Sequence, residues 1–116
     1  MTSDTEEPIA IRYEGPAPSF GGFDSADFAI DRPGRHVLEV NLRLALDARA
    51  RFDAALAEAG RSAMDADGAQ GVLRGLAQRE YGEGEGEVDP PAIRTLRAWD
   101  IEPASVDAIL TEAGLL

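Results

Sequence analysis

Residues 38–62 read LEVNLRLALDARARFDAALAEAGRS, and the apolar period changes halfway along. Leu38, Val40, Leu42, Leu44 and Leu46 alternate, as in a strand facing a core on one side. Phe52, Ala55, Leu56 and Ala59 then recur at spacings of three and four, the mark of an amphipathic helix. The stretch predicts a strand over 37–44 and a helix over about 46–59, stopped at Gly60. The other face of that strand carries Glu39, Asn41 and Arg43 in succession. Such a row is either solvated trim or a surface that reads a partner.

Working outward, residues 1–7 form a polar, flexible tail and PIAIRYE (8–14) a short strand. A turn-rich loop, GPAPSFGGFDSA, leads to a second strand, DFAID (27–31). RPGR then places Pro33 and Gly34 at the centre of a type II turn. Downstream of Gly60, a second helix starts at Ser62 or Asp65 and buries Ala69, Val72, Leu73 and Leu76. Gly68, Gly71 and Gly75 would each cost that helix about 1 kcal/mol against alanine unless another backbone packs closely there. GEGEGEVDPP (82–91) is an acidic linker. Two short helices follow, one over about 90–99, capped by Asp89 and burying Ile93 and Leu96, and one over about 103–113. The latter opens on Pro103, buries Val106, Ile109 and Leu110, and stops at Gly114.

These elements predict a single α+β domain over 1–116. Short N-terminal strands form a small antiparallel sheet or hairpin, four helices follow, and a strand–helix–helix core occupies 38–81. Residues 92–116 are expected as a C-terminal helical hairpin that docks on the main domain or on a partner. On that layout a chain ending at Gly82 stays folded.

At 116 residues and 44% hydrophobic, the chain can bury roughly two thirds of its unfolded surface, which excludes global disorder. No run of 18 uncharged apolar residues occurs and the N-terminus is acidic, so a soluble cytoplasmic protein with no membrane partner is expected. There is no cysteine, and His36 is the only histidine. Thiolate chemistry, cysteine–zinc sites, multi-histidine metal sites and His-paired catalysis are thereby excluded. Ser19, Ser25, Ser62 and Ser105 lack an activating histidine or lysine. EGEGEVD and DADG (65–68) each match only half of a calcium loop, with no closing glutamate. No enzyme, no cofactor and no metal is expected.

Net charge is −11 and every positive charge is an arginine. Residues 36–81 balance seven acids against six arginines, whereas 82–116 set eight acids against two. The middle is nearly neutral and the C-terminal part strongly acidic. Glu83, Glu85, Glu87 and Asp89, or the cluster Asp24, Asp27 and Asp31, are candidate contacts to a basic protein partner, with Trp99 as an aromatic anchor.

The order strand, helix, GRS, helix, with VNLRL in the strand, resembles the ribbon-helix-helix DNA-binding regulators of the Arc and MetJ type over residues 38–81. The resemblance implies a homodimer whose paired strands enter the major groove, with Glu39, Asn41 and Arg43 at base edges. Arginine suits guanine, asparagine adenine, and glutamate the cytosine amino group. Ser62 and nearby amides would hold a phosphate, and Val40, Leu42, Ala48, Phe52 and Leu56 would build the dimer core. The expected function is a non-enzymatic operator-binding regulator of the antitoxin kind, its acidic C-terminus wrapping a basic toxin. The alternative is an acidic inhibitor or immunity protein, such as a phage anti-defence or anti-CRISPR DNA mimic that blocks a basic nucleic-acid groove. A phage or assembly component is a third.

Overall fold

The computed structural model describes residues 9–17, 24–82 and 89–116. The chain runs β1 (Ala10–Pro16), β2 (Asp24–Asp31), β3 (Leu38–Leu44), α1 (Leu46–Glu58), α2 (Ala66–Tyr81), β4 (Ile93–Leu96) and α3 (Val106–Glu112). Short 3-10 turns at Ala98–Asp100 and Pro103–Ser105 join β4 to α3.

The strands form one four-stranded sheet in the order β1-β2-β3-β4. β1–β2 and β2–β3 are antiparallel, and β4 lies parallel to β3. The β2–β3 connection is the tight turn expected of RPGR: Arg35 N–H donates to the Arg32 carbonyl, and Gly34 takes the left-handed φ of 72° that this turn needs. Because β3 and β4 run the same way, they need a long crossover, which α1 and α2 supply.

Alternation decides which face is covered. Ala26, Phe28 and Ile30 of β2, Val40, Leu42 and Leu44 of β3, and Leu96 of β4 point inward. They meet Ala48, Phe52 and Leu56 of α1, Val72, Leu73, Leu76 and Ala77 of α2, and Ile109 and Leu110 of α3 in one cluster. α2 starts where Asp65 caps it, the carboxylate accepting from Gly68 N–H at 2.8 Å. Gly71 serves helix packing: a Cβ there would stand 3.2 Å from the Ala113 Cβ, closer than packed carbons tolerate without yielding. Gly60, at φ 77°, ends the α1 segment as expected.

Two expectations are corrected. The four helices become three, and the sheet gains a fourth strand, because 90–99 contains no α-helix. Ile93–Leu96 is β4, held by hydrogen bonds from Asn41 N–H to the Ala92 carbonyl and from Ala45 N–H to the Leu96 carbonyl. Asp89 consequently caps nothing; it pairs with Arg32 at 2.9 Å and Arg35 at 3.6 Å across the β2–β3 turn. The C-terminal segment is thus a strand and one α-helix built into the sheet and core, where a helical hairpin was expected.

Candidate binding surface

All three helices share one side of the sheet, and among the described residues no helix or strand packs on the other side. Strand register assembles that outer face in rows. Arg12, Ala29 and Glu39 lie abreast, then Gly15, Asp27, Asn41 and Ile93, then Ser25, Arg43 and Thr95. Glu14 is the extra residue of a β-bulge between Tyr13 and Gly15, and the bulge turns its side chain onto the same face, against Glu39.

The face is internally wired. Arg43 Nε donates to Asn41 Oδ1 at 2.7 Å, and Asn41 Nδ2 donates to Asp27 Oδ1 at 2.9 Å. Glu14 shares a hydrogen bond with Glu39. That bond, with desolvation and the Glu39 charge behind it, holds the Glu14 carboxyl above its ordinary value despite the opposing pull of Arg12. Two carboxyl groups in contact, with Asp27 nearby, form a locally electronegative patch between Arg12 and Arg43. Ile93, 54% exposed, gives the patch an apolar margin on the β4 side.

The three strand residues picked from sequence, Glu39, Asn41 and Arg43, do share this face. Ser62 does not join them: it lies in the α1–α2 connection on the helix side, beside Leu56 and Leu115. β3 has hydrogen-bonded neighbours on both edges, β2 and β4. Val40, Leu42, Ala48, Phe52 and Leu56 are buried within the single chain. Glu83, Glu85 and Glu87 lie outside the described residues. Trp99 is 73% exposed, with the Arg97 guanidinium 4.9 Å from its ring centroid. Its turn is stapled to α1, where Asp47 accepts from Ala98 N–H at 3.2 Å and Arg51 donates to the Ala98 carbonyl at 2.8 Å. Asp47 and Arg51, four residues apart on α1, thus both bind the Ala98 turn.

No family model matches this chain, and no curated protein or solved structure matches it either. The surface chemistry therefore has to carry the functional reading.

The arginines supply the main electrostatic fact. Arg32, Arg35, Arg49, Arg79, Arg94 and Arg97 each lie within 4.0 Å of an acid of the same chain. Arg51 is occupied by backbone carbonyls, and Arg74 lies 4.8 Å from the Tyr13 ring centroid. Most of the positive charge is spent on bracing the fold, so the surplus of acids defines the outward field.

Glu14 and Ile93 were not among the candidates from sequence, whereas Asp27 was. Asp27 had a signal, since strict alternation through DSADFAID puts it opposite Ala26 and Phe28. Glu14 and Ile93 had none, because a bulge and a parallel pairing set their faces. Among the described residues no group of three His, Asp or Glu is placed to hold a metal, and no helix is long and apolar enough to cross a membrane.

Proposed function

We propose that this chain is a non-enzymatic binding protein that engages a basic partner through its acidic surface, in the manner of an inhibitor that occupies a nucleic-acid groove. The observation that carries this reading is the internal use of arginine: among the described residues six of the eleven arginines are paired with the chain's own acids, and the net charge of −11 acts outward. The outer sheet face supplies carboxylates from Glu14, Asp27 and Glu39 on a rigid support, and Ile93 supplies apolar contact at its margin. Trp99 is a separate anchor of the kind that dominates protein interfaces.

A two-chain DNA-reading ribbon finds less support. It would need β3 to give up β4, and its recognition side chains already bond to one another. Phosphate contacts also need free cations, and most arginines of this fold are engaged by its own acids and carbonyls.

The test is a capture experiment from extract at low salt, followed by competition with duplex DNA. The expected partner is basic, is displaced by duplex DNA and is lost on Asp27→Lys/Glu39→Lys double reversal. A shift of duplex DNA by the purified protein alone would instead support the regulator and overturn the inhibitor reading.

A further inference from the structure

β1 is an edge strand. β2 covers one side of it, and no described strand covers the other. Edges of this kind offer a row of backbone donors and acceptors to another strand, and folded proteins ordinarily block or use them. Here the blocking devices are slight: one bulge at Glu14 and Pro16 at the end of the strand.

The side chains along this edge are matched to themselves. Arg12 and Glu14 flank Tyr13, are both exposed, and both project from the outer face. Arg12 makes no ion pair among the described residues, while Glu14 is held against another carboxyl, that of Glu39. Among the described residues the Arg12 charge reaches Glu14 without pairing with it, and the Glu14 carboxyl is left facing another acid. Arg-Tyr-Glu read against its own reverse brings each to the other.

We infer that two copies of this chain pair antiparallel along β1, with a two-fold axis through Tyr13, joining their sheets into one. In that register Arg12 of each copy falls opposite the Glu14–Gly15 bulge of the other. Gly15, with no side chain, leaves room for the incoming guanidinium. Other registers that keep like faces together do not do this. An axis through Arg12 sets the two arginines against each other, and an axis through Ile11 sets Arg12 against Ala10.

The surrounding charge favours a copy over a different partner. The chain as a whole repels itself at −11, yet residues 10–16 carry one acid and one arginine, and Arg74 lies beside Tyr13. A strongly basic protein is drawn elsewhere on this surface. On the helix side the same edge opens onto a cleft of about 440 Å³, lined by Ile11, Tyr13, Phe28, Arg74 and Gln78. The second copy's Tyr13 would approach the mouth of that cleft.

The test is the mass of the purified full chain in solution as a function of concentration, by light scattering and sedimentation. Twice the 12.3 kDa chain mass is expected for the wild type at high concentration. Arg12→Glu and Glu14→Arg each create two like-charge oppositions per dimer and should weaken association by about tenfold or more. The double variant Arg12→Glu/Glu14→Arg restores both pairs and should restore the dimer. Circular dichroism on all three checks that the fold is kept. A monomer at every concentration overturns the inference, as does a dimer that ignores both single reversals or a double variant that stays monomeric. None of these readouts involves the basic partner, so the two proposals stand or fall separately.

Discussion

The Arg49 guanidinium, on α1, donates to the carboxylate of Asp24 at the first position of β2 at 2.6 Å. The same side chain donates to the Met64 carbonyl and lies 3.5 Å from Asp53, so one cation joins strand, helix and the α1–α2 connection. Burial works against its charge, but the bond to Asp24 and the charges of Asp24 and Asp53 more than offset that and raise its pKa. Arg49→Met keeps the apolar stem and removes the donors. We expect a loss of about 1.5–3 kcal/mol, the usual range for bonds to charged groups, read as a lower urea midpoint at unchanged m-value. An unchanged midpoint would mean that the bridge adds nothing to stability.

Glu39→Gln tests the carboxyl pair on the open face. Glu14 titrates above its ordinary 4.5 in the folded protein because of Glu39. A raised folded pKa contributes stability that is fully present below the unfolded value and lost as pH rises through the folded one. Above the folded value the Glu14 charge is opposed by its neighbour Glu39. The variant should therefore melt higher than wild type at pH 7, with the advantage gone below about pH 4. Carboxyl NMR titration should also show the Glu14 midpoint falling towards 4.5.

Tyr81 is buried at the end of α2, and its hydroxyl has no hydrogen-bond partner among the described residues. Burial, then the neighbouring Glu80 charge, pushes its pKa up to about 12. Its raised pKa favours the fold at neutral pH, and that contribution is lost as pH rises through about 12. Absorbance titration should show one of the two tyrosines ionising only there or on unfolding. Tyr81→Phe removes an unsatisfied buried oxygen and should leave stability equal or raise it by up to about 1 kcal/mol. A clear loss of stability would point to a partner for that hydroxyl.

A chain ending at Gly82 is now expected to unfold, the reverse of what the linear layout suggested. Such a truncation removes β4 from the edge of β3 and takes Leu96, Ile101, Val106, Ile109 and Leu110 out of the core. Leu96→Ala alone, at a fully buried position, should cost about 2–5 kcal/mol in chemical denaturation. Retention of near-native circular dichroism by the truncated chain would show that residues 93–116 are an appendage.

How far the fold could be read ahead of its coordinates depends on where the information lies. β3, α1 and α2 were legible because each repeats its apolar period over enough residues to exclude the other period. Their ends were legible too: Gly60 with its positive φ and Asp65 with its capping carboxylate act within a few residues of themselves. The outward row Glu39, Asn41, Arg43 followed from the alternation of β3 alone.

Segment 90–99 was not legible. Ile93 and Leu96 stand three apart, a spacing that suits a helix face and equally a four-residue strand whose two ends point to opposite faces. In the fold they do point oppositely, Ile93 outward and Leu96 into the core. What chooses the strand is the β3 backbone, whose Asn41 and Ala45 N–H groups need acceptors and find them at Ala92 and Leu96. The partners of the acids were hidden for the same reason. Local spacing offers Asp47 to Arg51, but the tertiary structure gives Asp47 to Ala98 and Arg97, and Asp89 to Arg32. Sequence by itself determined the periodic elements, their stops and the surplus of negative charge, because these are local or additive properties. Only the tertiary structure decided that β3 is internal, which acids are already matched, and which face is left open, because each depends on contacts between residues far apart in the chain.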